Sequence, residues 1–151
     1  MRTPSLKSSV LSAFICLVIL ASQTVASSPP PLPNPILVFV GAEYVESGSK
    51  QYTRYYYDVF NKEAYPAELL AAAPALPPCG ANTKASRTWI DIFTYNGKRL
   101  NGFCALGNTN DLNRLWFALE STEVPPSWIY IEMNDRQTNT KYKSNLAETT
   151  L

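Results

Sequence analysis

Short apolar and aromatic runs, several of them alternating with polar positions, fill the chain from residue 36 to residue 146. Residues that favour turns, chiefly Gly, Asn, Pro and Ser, separate these runs. Alternation with a period of two is typical of strands that bury one face. The pattern therefore predicts six or seven short β-strands, at 36–45, 51–61, 87–95, 98–106, 112–119, 127–133 and 141–146.

Polar turn segments join several of these runs into hairpins. Residues 46–50 and 134–140 are two such segments. The dipeptide Asn96-Gly97 lies between two β-like runs, which favours a type I′ hairpin turn. On the returning strand, Asn101-Gly102 offers a position for a β-bulge.

One segment, residues 66–73, departs from the strand pattern. Pro66 suits the first position of a helix, Glu68 suits the positive end of its dipole, and Pro74 stops it. These residues predict a single helix of about two turns at most. Residues 75–80, which follow it, predict a rigid extended loop that contains Cys79.

Residues 112–119 fit two periods. As a strand they place Leu115, Phe117 and Leu119 on one face. A helix would instead align Leu112, Leu115, Trp116 and Leu119. We favour the strand.

Six or seven strands, joined by turns and one short helix, indicate an all-β fold. We predict an antiparallel two-sheet sandwich of immunoglobulin or fibronectin-III type with one short helix in a loop. A doubly wound α/β fold would require repeated helices between the strands, and the sequence offers only one short helix.

The N-terminal segment has the pattern of an export signal. Arg2 and Lys7 precede an apolar run at 10–21, and small residues follow it. A run of about a dozen apolar residues is short for a membrane span. We therefore expect a secreted or periplasmic protein that keeps no stable membrane span once the signal is removed. The predicted divisions are a signal peptide at 1–26, a proline-rich extended linker at 27–35, the β-sandwich domain at 36–146 and a flexible tail at 147–151.

Removal of the signal takes away Cys16 and leaves two cysteines, Cys79 and Cys104. Export compartments are oxidising, so we predict a Cys79–Cys104 disulfide. In antibody domains the disulfide joins the two sheets, whereas this bridge encloses one loop and one hairpin. A redox-active or metal-binding pair is less favoured because the cysteines are distant in sequence and the chain contains no histidine.

Several motifs together resemble a group of small exported bacterial β-sandwich domains of unknown function. The motifs are residues 52–61, Tyr65-Pro66, 76–80, 86–92, 102–104 and 131–136. The resemblance covers nearly all of the chain after the signal. It implies secretion and a sandwich fold, and it supplies no catalytic residues.

The absence of histidine removes the most common acid–base residue near neutral pH. The serines lack a recognisable base. The acids nearest to predicted strands have simpler structural roles than catalysis, and they are Asp58, Asp91, Glu132 and Asp135. We expect Asp91 to form an ion pair with Arg87 or Arg136, and Asp135 to cap a turn. The prediction is therefore that the protein is not an enzyme, has no catalytic residues and needs no cofactor.

Nucleic acid and metal ions are not expected ligands. After signal removal the chain has 11 basic and 12 acidic residues, so no basic surface for nucleic acid is predicted. The oxygen-rich segment 108–113 matches no spaced calcium loop and suits capping or a turn, so no metal site is predicted.

The remaining functional signal is a surplus of aromatic residues. If Ile129, Ile131 and Met133 face the core, Trp128 and Tyr130 face outwards with Glu132. The candidates for the outer face of a neighbouring strand are Tyr56, Trp89 or Tyr95. The candidate ligand-facing aromatics are Tyr56, Trp89, Trp128 and Tyr130. Such rings stack on sugars or anchor a protein, although they also cover the ends of a sandwich.

We predict a secreted, non-catalytic binding or structural module whose partner is an envelope protein or a glycan. The alternative is a small secreted enzyme or enzyme inhibitor that acts through acidic residues or the 76–86 loop.

Overall fold

The protein is an all-β fold of two antiparallel sheets. The computed structural model describes residues 31–81 and 83–149. The predicted signal peptide and residues 27–30 of the predicted linker lie outside these residues. Residues 31–36 have no regular secondary structure. The strands are β1 (Leu37–Ser47), β2 (Lys50–Val59), β3 (Thr88–Thr94), β4 (Arg99–Phe103), β5 (Leu115–Glu120), β6 (Trp128–Asp135), β7 (Thr140–Lys143) and β8 (Ala147–Glu148).

Three strands, in the order β1-β2-β5, form one sheet. The other sheet has five strands. Four of them have the order β4-β3-β6-β7, and β8 pairs directly with the start of β6. No helix in the described part of the chain is long and apolar enough to cross a membrane. The predicted two-sheet, all-β architecture is confirmed.

A single hydrophobic core lies on the inner faces of both sheets. In β3 the buried positions alternate with half-buried ones, as the period of two predicts. The largest core side chains are fully buried and come from both sheets: Tyr57, Val59, Leu115, Phe117, Ile90, Ile92, Ile129, Ile131 and Met133. Leu69 and Leu70 of the short helix complete the core.

Residues 112–119 contain the favoured strand, which begins at Leu115. A 3₁₀ turn at Thr109–Leu112 precedes it, capped by Asn108 and Asp111. Asp111 Oδ2 accepts hydrogen bonds from the backbone N–H groups of Gly107 and Asn108. The oxygen-rich segment 108–113 therefore uses Asp111 as a cap, as the alternative to a calcium site predicts.

The predicted short helix forms, within the limit of two turns and over part of residues 66–73. Helix α1 spans only Ala67–Leu70, with Pro66 before its first residue. The chain then becomes extended, because the Ala73 N–H donates to Ala85 O and the Arg87 N–H donates to Ala71 O. Pairing with residues 85–87 replaces the second turn of the helix.

The β3–β4 hairpin forms, but its turn type differs from the prediction. The Gly97 N–H donates to Thr94 O, and Gly97 has φ +88°. Asn96 is not among the described residues with positive φ, whereas a type I′ turn requires positive φ at both central residues. The bulge also lies beside the predicted position, at Leu100, because Asn101 pairs with Ile92 and Arg99 pairs with Phe93.

The tail predicted to be flexible is partly ordered. Ala147 and Glu148 form β8, opposite Ile129 and Trp128. Ala147 and Thr149 are buried, and Thr149 Oγ1 receives a hydrogen bond from the Tyr57 hydroxyl at 3.0 Å. The start of β6 has an open edge here, and β8 fills it. Residues 150 and 151 lie outside the described part.

Candidate functional site

The disulfide joins Cys79 to Cys104, as predicted. Cys79 lies in the connection between α1 and β3, and Cys104 directly follows β4. A second contact holds the same connection, because Arg136 Nη2 donates to Pro77 O at 2.6 Å. The loop is therefore attached to the five-stranded sheet at two points.

The four predicted aromatics fall on two surfaces. Trp89, on β3, and Trp128 and Tyr130, on β6, share the outer face of the five-stranded sheet. Tyr56 lies on β2, in the other sheet, and points away from the core between buried Tyr55 and Tyr57. Tyr56 was one candidate for the strand next to Trp128, and this part of the prediction is wrong because β2 and β6 belong to different sheets.

The outer face of the five-stranded sheet carries five rings, which we call the aromatic face: Trp89, Phe93 and Tyr95 from β3 and its end, and Trp128 and Tyr130 from β6. Phe93 and Tyr130 are register partners, and their rings stack with centroids 5.4 Å apart. Tyr95 and Trp128 are adjacent, since the Tyr95 N–H donates to Trp128 O at 3.0 Å.

The sequence names Tyr95 as a candidate for the outer face but not Phe93, and the four predicted ligand-facing residues include neither. An even spacing from Trp89 along one strand is the signal that identifies them.

Cations cover two of these rings. The Arg136 guanidinium lies over the Trp89 ring at 3.9 Å from its centroid, and Lys143 Nζ lies 3.9 Å from the Tyr130 centroid. Tyr130, which packs against Phe93 and Lys143, is only 7% exposed. Trp128 is 40% exposed and Tyr95 is 65% exposed. The open part of the aromatic face is therefore the pair Tyr95 and Trp128.

Ion pairs lie among the rings. Asp91 Oδ1 accepts a hydrogen bond from Arg99 Nε at 2.6 Å, so neither Arg87 nor Arg136 is its partner. The register explains this outcome. Gly102 is opposite Asp91, and a Cβ at Gly102 would collide with the Arg99 guanidinium and the Asp91 carboxylate. Because Gly102 has no side chain, Arg99 of β4 can reach Asp91 of β3 and form the ion pair.

A cleft of about 270 Å³ lies at the Trp89 end of the aromatic face. Its walls include the disulfide, Trp89 and the Asp91–Arg99 pair. Beside Trp89, three buried polar atoms have no partner among the described residues: Trp89 Nε1, Asn134 Oδ1 and Arg136 Nη1. Of these residues only Trp89 lines the cleft. Trp89 and Asn134 are register partners, and Arg136 is stacked on Trp89, so the three side chains are neighbours.

Tyr56 lines a second, open groove of about 520 Å³ on the three-stranded sheet. Arg114, which has φ +59°, lies with its guanidinium carbon 5.0 Å from the Tyr56 centroid. The Arg114 N–H donates to Asp58 Oδ1 at 2.7 Å, and the Tyr56 hydroxyl donates to Glu43. Internal contacts thus occupy several polar groups of this groove.

The acids considered for catalysis are held by other groups. Asp135 accepts hydrogen bonds from Arg87 Nε at 2.8 Å, the Gln137 N–H and the Thr138 hydroxyl, which confirms the predicted turn cap. The Arg87 hydrogen bond lowers the pKa of Asp135 to about 2, although burial opposes the shift. Glu132 pairs with Lys141 at 3.3 Å. Within residues 31–81 and 83–149, no three His, Cys, Asp or Glu side chains form a potential metal site.

The chain matches no model of a protein family, no curated protein and no solved structure. The resemblance to exported bacterial domains therefore stays a prediction. The structure itself shows the coarser feature, a small all-β fold of two sheets.

Proposed function

We propose that this protein is a secreted or periplasmic, non-catalytic binding module whose ligand binds to the aromatic face. The observation that carries the proposal is the exposed pair Tyr95 and Trp128, which continues into the stacked rings of Phe93 and Tyr130. Large exposed rings grouped on one sheet face are typical of a contact surface for a ligand.

The strand order supports a domain of the immunoglobulin or fibronectin-III type. The order β1-β2-β5 corresponds to strands A-B-E, and β4-β3-β6-β7 corresponds to C′-C-F-G. Domains with this architecture have many functions, so the ligand must be argued from the surface.

Export is supported by two features. The N-terminal sequence has the pattern of a signal peptide, and the disulfide is of a kind that persists in oxidising compartments.

A non-catalytic function is supported by the chemistry of the chain. The chain contains no histidine, and the acids nearest to the sheets pair with cations or cap turns. The alternative, an enzyme or inhibitor acting through acids or the 76–86 loop, has less support because Pro77 and Cys79 attach that loop to the sheet.

The experiment compares three oxidised proteins: wild type, a Tyr95→Ala/Trp128→Ala variant, and a Tyr44→Ala control. Tyr44 is 85% exposed on β1, outside the aromatic face. Each protein is immobilised and presented with a glycan array and with a cell-surface extract of the producing organism. We expect wild type and Tyr44→Ala to retain the same ligand and the double variant to lose it.

Retention of the same ligand by the double variant would overturn the proposal, and so would the absence of any ligand retained by wild type. Near-UV circular dichroism and the urea unfolding midpoint verify that the variants remain folded.

A further inference from the structure

We propose that the ligand of the aromatic face is a neutral polysaccharide chain that lies along β3, from the disulfide cleft to Tyr95 and Trp128. This inference rests on the proposed function, because it identifies the ligand of the same face. Its support comes from the arrangement of the rings, from the ion pairs among them and from the polar groups that line the disulfide cleft.

The rings form an extended platform. Trp89, Phe93 and Tyr95 recur along the same side of β3, and this stretch is about 20 Å long at the rise of an extended strand. Tyr130 and Trp128 widen the platform on the neighbouring strand β6. Because Arg136 lies over Trp89 and Lys143 lies over Tyr130, the rings open for stacking are Tyr95 and Trp128, and the covered rings continue the row towards the cleft. A long, shallow row with stacking rings at one end and hydrogen-bonding groups along it suits a chain of hydroxylated rings better than it suits one compact small molecule.

The ion pairs on this face favour a ligand with hydroxyl groups over a protein partner with an apolar surface. Asp91–Arg99 and Glu132–Lys141 lie between the rings, with Arg99 and Lys141 about 60% exposed. A protein that covered the face would have to desolvate both pairs, which is costly. Sugar hydroxyls both donate and accept hydrogen bonds, so they can replace the water around an acid and a guanidinium together.

The disulfide cleft adds polar groups at one end of the platform, because the Asp91 carboxylate and the Arg99 guanidinium line it together with Trp89. A carboxylate accepts hydrogen bonds and a guanidinium donates them. A sugar hydroxyl has the matching mixture of donor and acceptor, so it can bind both groups directly or through a bridging water.

The charge on this face favours a neutral chain over an acidic one. Asp91, Glu132 and Glu148 lie on the face with Arg99, Arg136, Lys141 and Lys143. Arg99 and Lys141 pair with acids, and Arg136 and Lys143 are stacked on rings. Arrays of alternating charges do not form the uniform basic surface that a polyanion requires.

The first experiment measures retention of the oxidised protein on insoluble cellulose, chitin and starch, with alginate and pectate as acidic comparisons. We expect retention on at least one neutral polysaccharide. It should persist between about 0.1 M and 1 M salt, because stacking and hydroxyl contacts are not screened as charge contacts are. The Tyr95→Ala/Trp128→Ala variant should bind at least about tenfold more weakly, and Tyr44→Ala should match wild type.

The second experiment tests the polar end of the platform with Gly102→Ala. The added Cβ should displace the Arg99 guanidinium from Asp91 and weaken binding about fivefold. Gly107→Ala is the matched control, because its Cβ would meet only Asp111 Oδ2 at 3.4 Å, outside the aromatic face. Equal binding by the two variants would remove the cleft from the proposal.

Treatment of the cell-surface extract with periodate or with protease distinguishes this inference from the proposed function. Loss of the ligand after periodate, which cleaves sugar diols, and survival after protease would support a polysaccharide. A ligand that depends on Tyr95 and Trp128 but is destroyed by protease alone would overturn the polysaccharide and leave the binding function intact. Failure to bind any neutral polysaccharide, or binding to acidic ones only, would also overturn it.

Discussion

Asp135 is a buried acid whose pKa is lowered by its hydrogen bonds. Its side chain is 2% exposed at the end of β6, where it pairs with Arg87 and caps the following turn. The carboxylate pKa is lowered from its usual value to about 2, with the hydrogen bond from Arg87 as the largest cause. Because the pKa is lower in the folded state, the ionised carboxylate stabilises the fold at pH values above the unfolded pKa of about 4. This stabilisation is lost as the pH falls through about 2.

We predict that Asp135→Asn lowers the free energy of unfolding by about 2–3 kcal/mol at pH 7, and by much less near pH 2. Urea unfolding at both pH values measures the difference. Asp91→Asn is the matched control, since Arg99 is 60% exposed and such pairs contribute at most about 1 kcal/mol. An equal loss for Asp135→Asn at both pH values would show that its ionised form contributes nothing.

The last strand, β8, connects the two sheets through one buried hydrogen bond. It pairs with β6 of the five-stranded sheet, while the Tyr57 hydroxyl on β2 of the other sheet donates to Thr149 Oγ1. Burial raises the pKa of Tyr57, so the hydroxyl keeps its proton as a donor. The end of the chain is therefore part of the core.

A double-mutant cycle tests this connection. Thr149→Val keeps the shape but leaves the Tyr57 hydroxyl buried without a partner, which should cost about 1–3 kcal/mol. Tyr57→Phe in the Thr149→Val background should recover most of this cost, because both polar groups are then absent. Urea midpoints at constant m-value report the four stabilities. Additive effects of the two substitutions would show that the hydrogen bond does not couple the sheets.

The strands could be predicted because their alternation reflects burial of one face, as β3 shows. Strand β8 could not, because residues 147–151 are small and polar and carry no period. Its structure comes from the open edge of β6, which is a distant partner. The same reason applies to α1, which ends at Leu70 because the next residues pair with 85–87. Pairing with residues distant in sequence therefore determines both the formation of β8 and the end of α1, and a local sequence pattern cannot predict such pairing.

At the scale of the molecule, the sequence identified outward-facing rings but not which of them share a surface. The alternation of β6 correctly turned Trp128 and Tyr130 away from Ile129 and Ile131. The neighbours of β6 are β3 and β7, so Tyr56 on β2 lies elsewhere. Coverage of Trp89 by Arg136 is a tertiary contact, which a strand pattern cannot reveal.

The disulfide acts on the whole molecule, and two effects can be separated. Cys79 and Cys104 are 25 residues apart, and closing such a loop restricts the unfolded chain. Replacing both with alanine should therefore lower the free energy of unfolding by about 3–4 kcal/mol on the chain-entropy model, measured by urea unfolding of both proteins.

The folded loop should change little in that variant, because the bond from Arg136 to Pro77 O also holds it to the sheet. Hydrogen exchange of residues 76–81 in native conditions measures this second effect. We expect near-native protection in the double alanine variant and a marked loss only when Arg136→Ala is added. Loss of protection in the alanine variant alone would mean that the disulfide, and not Arg136, positions the loop beside Trp89. In that case the cleft would depend on an oxidising compartment for its shape as well as for its stability.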